Sequence, residues 1–272
     1  MHVQSQQSIA FQQILDRGYA LLDLNDEQAD RLARALDTGR AFFALPANRK
    51  TQHASADMNH GYRPLGREFS ITPDRPDLNE CFTIWHDRLD LIPHSADLPE
   101  LTEAWGRWRE SLVEMVDGIL AELARHFGSD RSPDFRSASY LQMNAYTESF
   151  SQDRDLLQDP HEDGHMITIQ HATAPGLEVV VDGVGRPVAT DPRQVLVMPG
   201  SVLTDLSGGR ISPLYHQVRN HQHTGRISLM YFVNPSLREP VYSWLDEAGT
   251  VDLREKVRSN PSMFGLADVP AL

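Results

Sequence analysis

At 272 residues, with 40% hydrophobic and 23% charged residues, the chain is ordinary globular material, long enough to bury a core without disulfide or metal staples. A formal net charge of −13 argues against a non-specific nucleic-acid or anionic-membrane binder, because it repels phosphates at long range. One cysteine, Cys81, excludes an internal disulfide framework and suggests a reducing compartment; with no basic-then-apolar leader and no run of 18 apolar residues, the expected location is the cytoplasm.

Residues 5–17 read as a short helix ended by Gly18, and Tyr19 to Leu24 as a strand. Asn25 is placed as an N-cap with Gln28 as its capping-box partner, and Ala29, Leu32, Ala33 and Leu36 carry a helical period towards Pro46. From Ala47 to Pro99 the chain is irregular and rich in proline and glycine, with one short strand from Cys81 to Trp85. A stretch of that length more often covers a site than links two elements. Leu101 to Phe127 is the clearest helix: Trp105, Trp108, Leu112, Met115, Val116, Ile119, Leu120 and Leu123 recur at three and four positions, with Gly128 past its end. The stripe reads as core packing rather than a ligand box.

After Ser137 the period shortens. Ser139–Tyr146, Met166–His171, Leu177–Val181, Gln194–Met198 and Gly225–Asn234 read as strands separated by turn signals, the pattern of a sandwich or barrel. A short helix is expected around Val251 to Arg258, in a tail that folds over the barrel.

The candidate chemistry lies between His161 and Ser228. With 12 histidines, about one His-x-Asp tripeptide arises by chance, so His161-Glu162-Asp163 is weak alone and also reads as a surface turn. On a strand, however, positions i and i+2 share a face, so both side chains could reach one metal. His216 supplies a third ligand; His221 and His223 compete for that place but sit in a polar turn and read as solvated. Two histidines and a carboxylate form the triad that holds non-haem Fe(II) with positions left open. Arg226 and Ser228 again share one face of a strand, and a guanidinium inside a barrel suits a bound carboxylate. Tyr140, Gln142, Asn144 and Tyr146 give another strand one polar face; if it points inward, Tyr146 could donate to the same acid.

Together His161-x-Asp163, His216, Arg226-x-Ser228 and Asn144-x-Tyr146 resemble the isopenicillin N synthase-like branch of the Fe(II)/2-oxoglutarate-dependent dioxygenases. Gly176-Leu177-Glu178-Val179, His216-Gln217-Val218-Arg219-Asn220 and Tyr231-Phe232-Val233-Asn234-Pro235 resemble further segments of that family, as do Gly61-Tyr62 and Asn79-Glu80-Cys81-Phe82 upstream. The chain departs from the pattern at Val197-Met198-Pro199-Gly200-Ser201, which keeps the glycine and lacks the acid. It departs again at Thr147, where a proline is common, and in a longer, more polar stretch over residues 148–160.

The resemblance implies an α+β protein with a double-stranded β-helix (jelly-roll) core and N-terminal helices packed on one sheet. One domain is expected over 1–272, with a mainly helical region at 1–130, the jelly roll at 137–235 and a tail at 236–272. It implies an enzyme that couples oxidative decarboxylation of 2-oxoglutarate to succinate and CO2 with hydroxylation, desaturation or cyclisation of a small organic metabolite. His161, Asp163 and His216 would bind Fe(II), and Tyr146, Arg226 and Ser228 the cosubstrate. O2 is the oxidant and ascorbate a candidate reductant. Two other readings stand beside this one: an iron oxidase of the same scaffold that does not use 2-oxoglutarate, and a non-catalytic barrel binding a ligand or structural zinc. Arg63, Arg67, Glu68 and His165 are candidate substrate contacts, with surface or packing roles the blander alternative; Met230 is expected to line the cavity.

Overall fold

Asn25 closes the capping box that its neighbours predict: its side chain accepts from the Gln28 amide, and the Gln28 side chain accepts from the Asn25 amide. The computed structural model describes residues 6–86, 88–146, 154–189, 191–222, 225–236, 240–244 and 249–264. Helix α1 (Gln6–Arg17), strand β1 (Ala20–Asp23) and helix α2 (Asp26–Phe43) come first, followed by the short helix α3 (Ala47–Lys50). Strands β2 (Gly61–Arg63) and β3 (Glu80–Trp85) flank the irregular segment, and the long helix α4 (Pro99–His126) follows. The second half holds β4 (Tyr140–Tyr146), β5 (Leu156–His161), β6 (Ile167–Ala172), β7 (Leu177–Val181), β8 (Val184–Pro187) and β9 (Gln194–Pro199). Helix α5 (Ser201–Leu206), β10 (His216–Arg219) and β11 (Arg226–Val233) complete the core; β12 (Val241–Tyr242), β13 (Thr250–Val251) and α6 (Leu253–Ser259) form the tail.

Two antiparallel sheets make the jelly roll. The larger has the order β1-β9-β6-β11-β4-β3-β2, the smaller β5-β10-β7-β8. Among the described residues no strand pairs across the two, so the core is a two-sheet sandwich rather than a continuously hydrogen-bonded barrel. Alternation along the strands of the large sheet sends one set of side chains to the helices and the other inward. Leu141, Met143 and Ala145 of β4 and Ile227, Leu229 and Tyr231 of β11 join the stripes of α2 and α4 in the main core. Trp105 Nε1 donates to the Ala35 carbonyl at 3.1 Å, which satisfies a buried polar atom and ties α4 to α2. Gly39 lets α2 lie close to the sheet: a Cβ there would fall 2.2 Å from Met143 Sδ. A smaller apolar cluster sits between the sheets, where Tyr146, Leu196 and Met198 meet Leu157, Leu177, Val179 and Val218.

The tail packs on the main core through Trp244, Leu253, Val257 and Phe264. Gly18 and Gly128 both take positive φ past the helices they end, as expected of glycines at those positions. The sequence pattern did not announce α3, β2, β5, β8, α5, β12 or β13. Strands β5 and β8 are the edges of the small sheet, where one face needs no apolar alternation, and β5 contains Pro160, which an edge tolerates. His223 and residues 147–153, part of the long polar connection, lie outside the described residues. No helix among the described residues is long and apolar enough to cross a membrane.

Candidate metal centre and cosubstrate pocket

His161 ends β5, Asp163 lies two residues on, and His216 begins β10. The pairing of β5 with β10 sets His216 directly opposite His161. One ligand atom from each of the three side chains lies within 4.8 Å of the others, the only such group found among the described residues. Nε2 of His161 and Nε2 of His216 are each 3.9 Å from Asp163 Oδ1.

The remaining polar atom of each candidate ligand is already engaged. His161 Nδ1 donates to the Asp159 carbonyl at 2.7 Å, and His216 Nδ1 to the Leu214 carbonyl at 3.1 Å. Both rings are thereby held in the tautomer whose bare Nε2 faces Asp163. Asp163 Oδ2 accepts from the Thr168 hydroxyl at 2.5 Å, which leaves Oδ1 for the site. Burial, reinforced by the charge of His161, brings the His216 pKa down to about 4. Burial works against ionisation of Asp163, but His216, His165, His161 and the Thr168 hydroxyl outweigh it, so its pKa is lowered. Neutral imidazoles and an ionised carboxylate are the states that bind a divalent metal.

The backbone that carries Asp163 is fixed by the start of α5. Ser201 N–H donates to the Asp163 carbonyl at 3.0 Å, Val202 N–H to the His165 carbonyl at 3.2 Å and Gly200 N–H to the Met166 carbonyl at 3.1 Å. A Cβ at Gly200 would lie 2.2 Å from the His165 oxygen and 2.7 Å from that of Asp163, so only glycine permits this approach.

Strand β11 pairs with both β4 and β6 and turns Arg226, Ser228, Met230 and Phe232 inward. Arg226 is 1% exposed, and its Nε, Nη1 and Nη2 find no hydrogen-bond partner in the protein. Its guanidinium carbon lies 4.8 Å from the centroid of the Tyr146 ring, the residue opposite it in the β11–β4 ladder. Burial lowers its pKa, with Tyr146 opposing. Ser228 Oγ accepts from Gln170 Nε2 at 2.6 Å. Tyr146 faces inward as expected, yet its hydroxyl donates to Gln158 Oε1 at 3.0 Å, so Tyr146 meets Arg226 through its ring.

Residues 138–235 match the model of the 2OG-Fe(II) oxygenase superfamily, and the triad and the orphaned guanidinium both fall within them. Residues 138–235 form a 2OG-Fe(II) oxygenase superfamily domain. The chain is 26% identical over 237 residues to the 2-oxoglutarate-dependent dioxygenase FG08081 of Gibberella zeae, covering 80% of this chain and 71% of that protein. It is 32% identical over 125 residues to gibberellin 20 oxidase 2 of Oryza sativa subsp. indica, a match to 46% of this chain and 31% of that longer protein. Among solved structures, JOX2 in complex with 2OG, Fe and JA superposes with a TM-score of 0.72 at 19% identity, covering 87% of this chain and 73% of that one. A 2OG-Fe(II) oxygenase family protein from Caulobacter crescentus gives 0.77 at 22% identity, covering 93% of each chain. At these identities the structures establish the shared jelly-roll fold. The expected Fe(II)/2-oxoglutarate-dependent oxygenase class is met.

The residues of this oxygenase fit the groups its family uses. Two bare Nε2 atoms and one carboxylate oxygen converge as an iron site requires, and a buried guanidinium without an anion suits the distal carboxylate of 2-oxoglutarate. The pocket at the triad also takes in Arg63, Arg67, Glu68 and His165, and Met230 lines it as expected. Arg63 is 2% exposed and spoken for: it pairs with Glu68 at 3.0 Å and donates to Thr83 and Gln142. His165 sits between the Tyr140 hydroxyl and the Asn234 side chain, and burial lowers its pKa to about 4. The Tyr140 hydroxyl also donates to the Phe264 carbonyl, so the tail closes the pocket behind His165. His221 is exposed, as its turn predicts. Sequence reasoning missed Thr168, Gln158 and Asp77. Thr168 carries the signal of alternation with inward neighbours; Gln158, on an edge strand without apolar alternation, and Asp77, in irregular chain, carry none.

Proposed function

We propose that this oxygenase oxidises a small organic molecule with 2-oxoglutarate as cosubstrate, using His161, Asp163 and His216 to hold Fe(II) and Arg226 to hold the cosubstrate's distal carboxylate. The observation that carries the reading is Arg226, a buried cation with three unpartnered nitrogens in the sandwich that bears the triad. An uncompensated buried charge costs several kcal/mol, so the fold keeps it only if a ligand anion completes it. Bound iron supplies O2 activation coupled to loss of CO2 from the keto acid.

The protein's part is placement. Asp159 and Leu214 carbonyls orient the two imidazoles, and Thr168 keeps Asp163 turned so that Oδ1 faces them. The planar fork of Arg226 can take a carboxylate through two parallel bonds, with the Tyr146 ring as its flat support. The Ser228 hydroxyl, whose oxygen already accepts from Gln170, has its proton left for the same carboxylate. Leu177, Met198, Met230 and Phe232 line the space and exclude water, which strengthens these charged contacts. The test is succinate formation from 2-oxoglutarate by Fe(II)-loaded protein, with and without candidate metabolites. Slow succinate release without a metabolite is expected; none under any condition, with iron bound, would refute cosubstrate use.

A further inference from the structure

One buried carboxylate in the pocket has no part in holding iron or 2-oxoglutarate. Asp77 is 3% exposed and shares the pocket wall with Phe69, Ser70, Gln158 and His161. Every group that donates to it is neutral. The Ser70 hydroxyl reaches both oxygens at 2.9 Å, the Ser70 amide reaches Oδ1 at 3.2 Å, and Gln158 Nε2 reaches Oδ2 at 3.2 Å. The nearby cations form no ion pair with it: Arg63 pairs with Glu68, Arg75 pairs with Asp159, and Arg154 donates through Nη1 to the Pro76 carbonyl at 2.6 Å and lies 4.0 Å from Asp159. His161 is near enough to favour the ionised form when it is protonated, but an imidazole on a metal is neutral. Among the described residues no basic side chain forms an ion pair with Asp77.

A buried carboxylate without a counter-charge is costly, and hydrogen bonds from neutral donors offset only part of that. The four contacts come from three donor protons, because the Ser70 hydroxyl is shared between both oxygens. About one of the carboxylate's roughly four acceptor sites is therefore left, and Asp77 opens on the cavity that the substrate must enter. Phe69 brings an aromatic ring to the same wall, a further favourable surface for a cation. Other acids in the lining, Glu68 and Glu162, do not help a substrate anion to bind there. Among the described residues, the only guanidinium lining this cavity outside the Arg63–Glu68 pair is that of Arg67, which is exposed.

We propose that Asp77 is the anchor for a positively charged nitrogen on the oxidised substrate, so that the substrate class is an amine, primary or secondary, rather than a neutral or purely acidic metabolite. This rests on the 2-oxoglutarate oxygenase reading of the same pocket. An amine held by Asp77 would lie on the β5 side of the pocket, where Gln158 precedes His161 by three residues, and so close to the iron-binding edge.

The experiment is anaerobic calorimetry on the full chain loaded with Fe(II) and 2-oxoglutarate, titrated with matched probes that differ only in an amine or a hydroxyl. Suitable pairs are 2-phenylethylamine with 2-phenylethanol, putrescine with 1,4-butanediol, and L-lysine with 6-hydroxy-L-norleucine. At least one amine should bind tenfold or more tightly than its hydroxyl partner. Asp77→Asn should cut that preference below threefold, and Asp77→Glu should retain part of it. A preference below tenfold in every pair overturns the proposal, as does a full preference surviving in Asp77→Asn. If Asp77→Asn does not fold, the wild-type comparison decides alone. Succinate release without any probe is measured in parallel. If it occurs and no amine preference is found, only the substrate class falls; if it is absent with iron bound, the oxygenase reading itself falls.

Discussion

Each candidate iron ligand is fixed through the atom that does not face the metal, and this makes single-residue changes informative. Asp163→Ala removes a ligand but leaves Thr168 and both histidine tautomers in place. It should lower iron affinity by more than the roughly 10- to 100-fold that loss of a supporting hydrogen bond costs, with the fold retained. Metal analysis after gel filtration, alongside circular dichroism, checks this; stoichiometric iron in the variant would remove Asp163 from the site. Arg226→Lys keeps the charge and loses the fork. Losing one charge-assisted hydrogen bond costs about 1.5–3 kcal/mol, so the 2-oxoglutarate concentration for half-maximal turnover should rise on the order of tenfold to a hundredfold. An unchanged requirement would place the carboxylate elsewhere. Arg226 and Ser228 were legible in the sequence because a spacing of two on a strand forces both side chains to one face; His161 and Asp163 share that spacing, but β5 ends at His161 and the turn held by α5 positions Asp163. The contact of the Tyr146 hydroxyl was not legible, since it goes to Gln158 on β5, an edge strand whose sequence shows no apolar alternation.

At the scale of elements, the position of Asp163 depends on how closely α5 approaches the turn after β5. The N–H groups of Ser201 and Val202 grip the carbonyls of Asp163 and His165, and Gly200 has no Cβ to prevent it. In Gly200→Ala the obstacle is backbone, which cannot swing aside as a flexible side chain could, so the 163–165 turn must move. The expected result is iron affinity reduced about 10- to 100-fold, as for other supporting changes at metal sites. Destabilisation should be on the order of 1–3 kcal/mol, as for overpacking elsewhere. Titration of iron into the apo-protein and thermal melting measure the two; unaltered iron affinity would mean the turn is held by other contacts. The glycine stood out in the sequence, but its reason did not, because α5 is six residues long and too short to show a helical period. By contrast α2, α4, β7 and β11 were plain: each is long or bounded by glycine and carries an unbroken apolar pattern on the face it buries.

For the whole molecule, a charge of −13 disfavours self-association near neutrality but does not set acid stability; buried titratable groups do. Burial lowers the pKa of His60 and of His171, each against partial opposition from nearby groups, and both lie away from the triad. In the metal-free protein His165 and His216, at about 4, add to them. Between those lowered values and the ordinary 6.5, the unfolded chain binds more protons than the folded one, so stability rises with pH and is lost as pH falls through this window. Asp77 acts in the other direction: burial raises it to about 6, so below that pH the folded state gains a proton that the unfolded chain, with a carboxyl near 3.8, does not. Each group contributes at most about 1.4 kcal/mol per pH unit, and four histidines outweigh one carboxyl. Melting of the metal-free protein should therefore fall steadily from pH 6.5 towards pH 4.5, and more steeply in Asp77→Asn, where the offset is gone. A melting temperature that stays level across that range, or a shallower fall in Asp77→Asn, would show that these side chains are not buried in the neutral and raised states assigned to them.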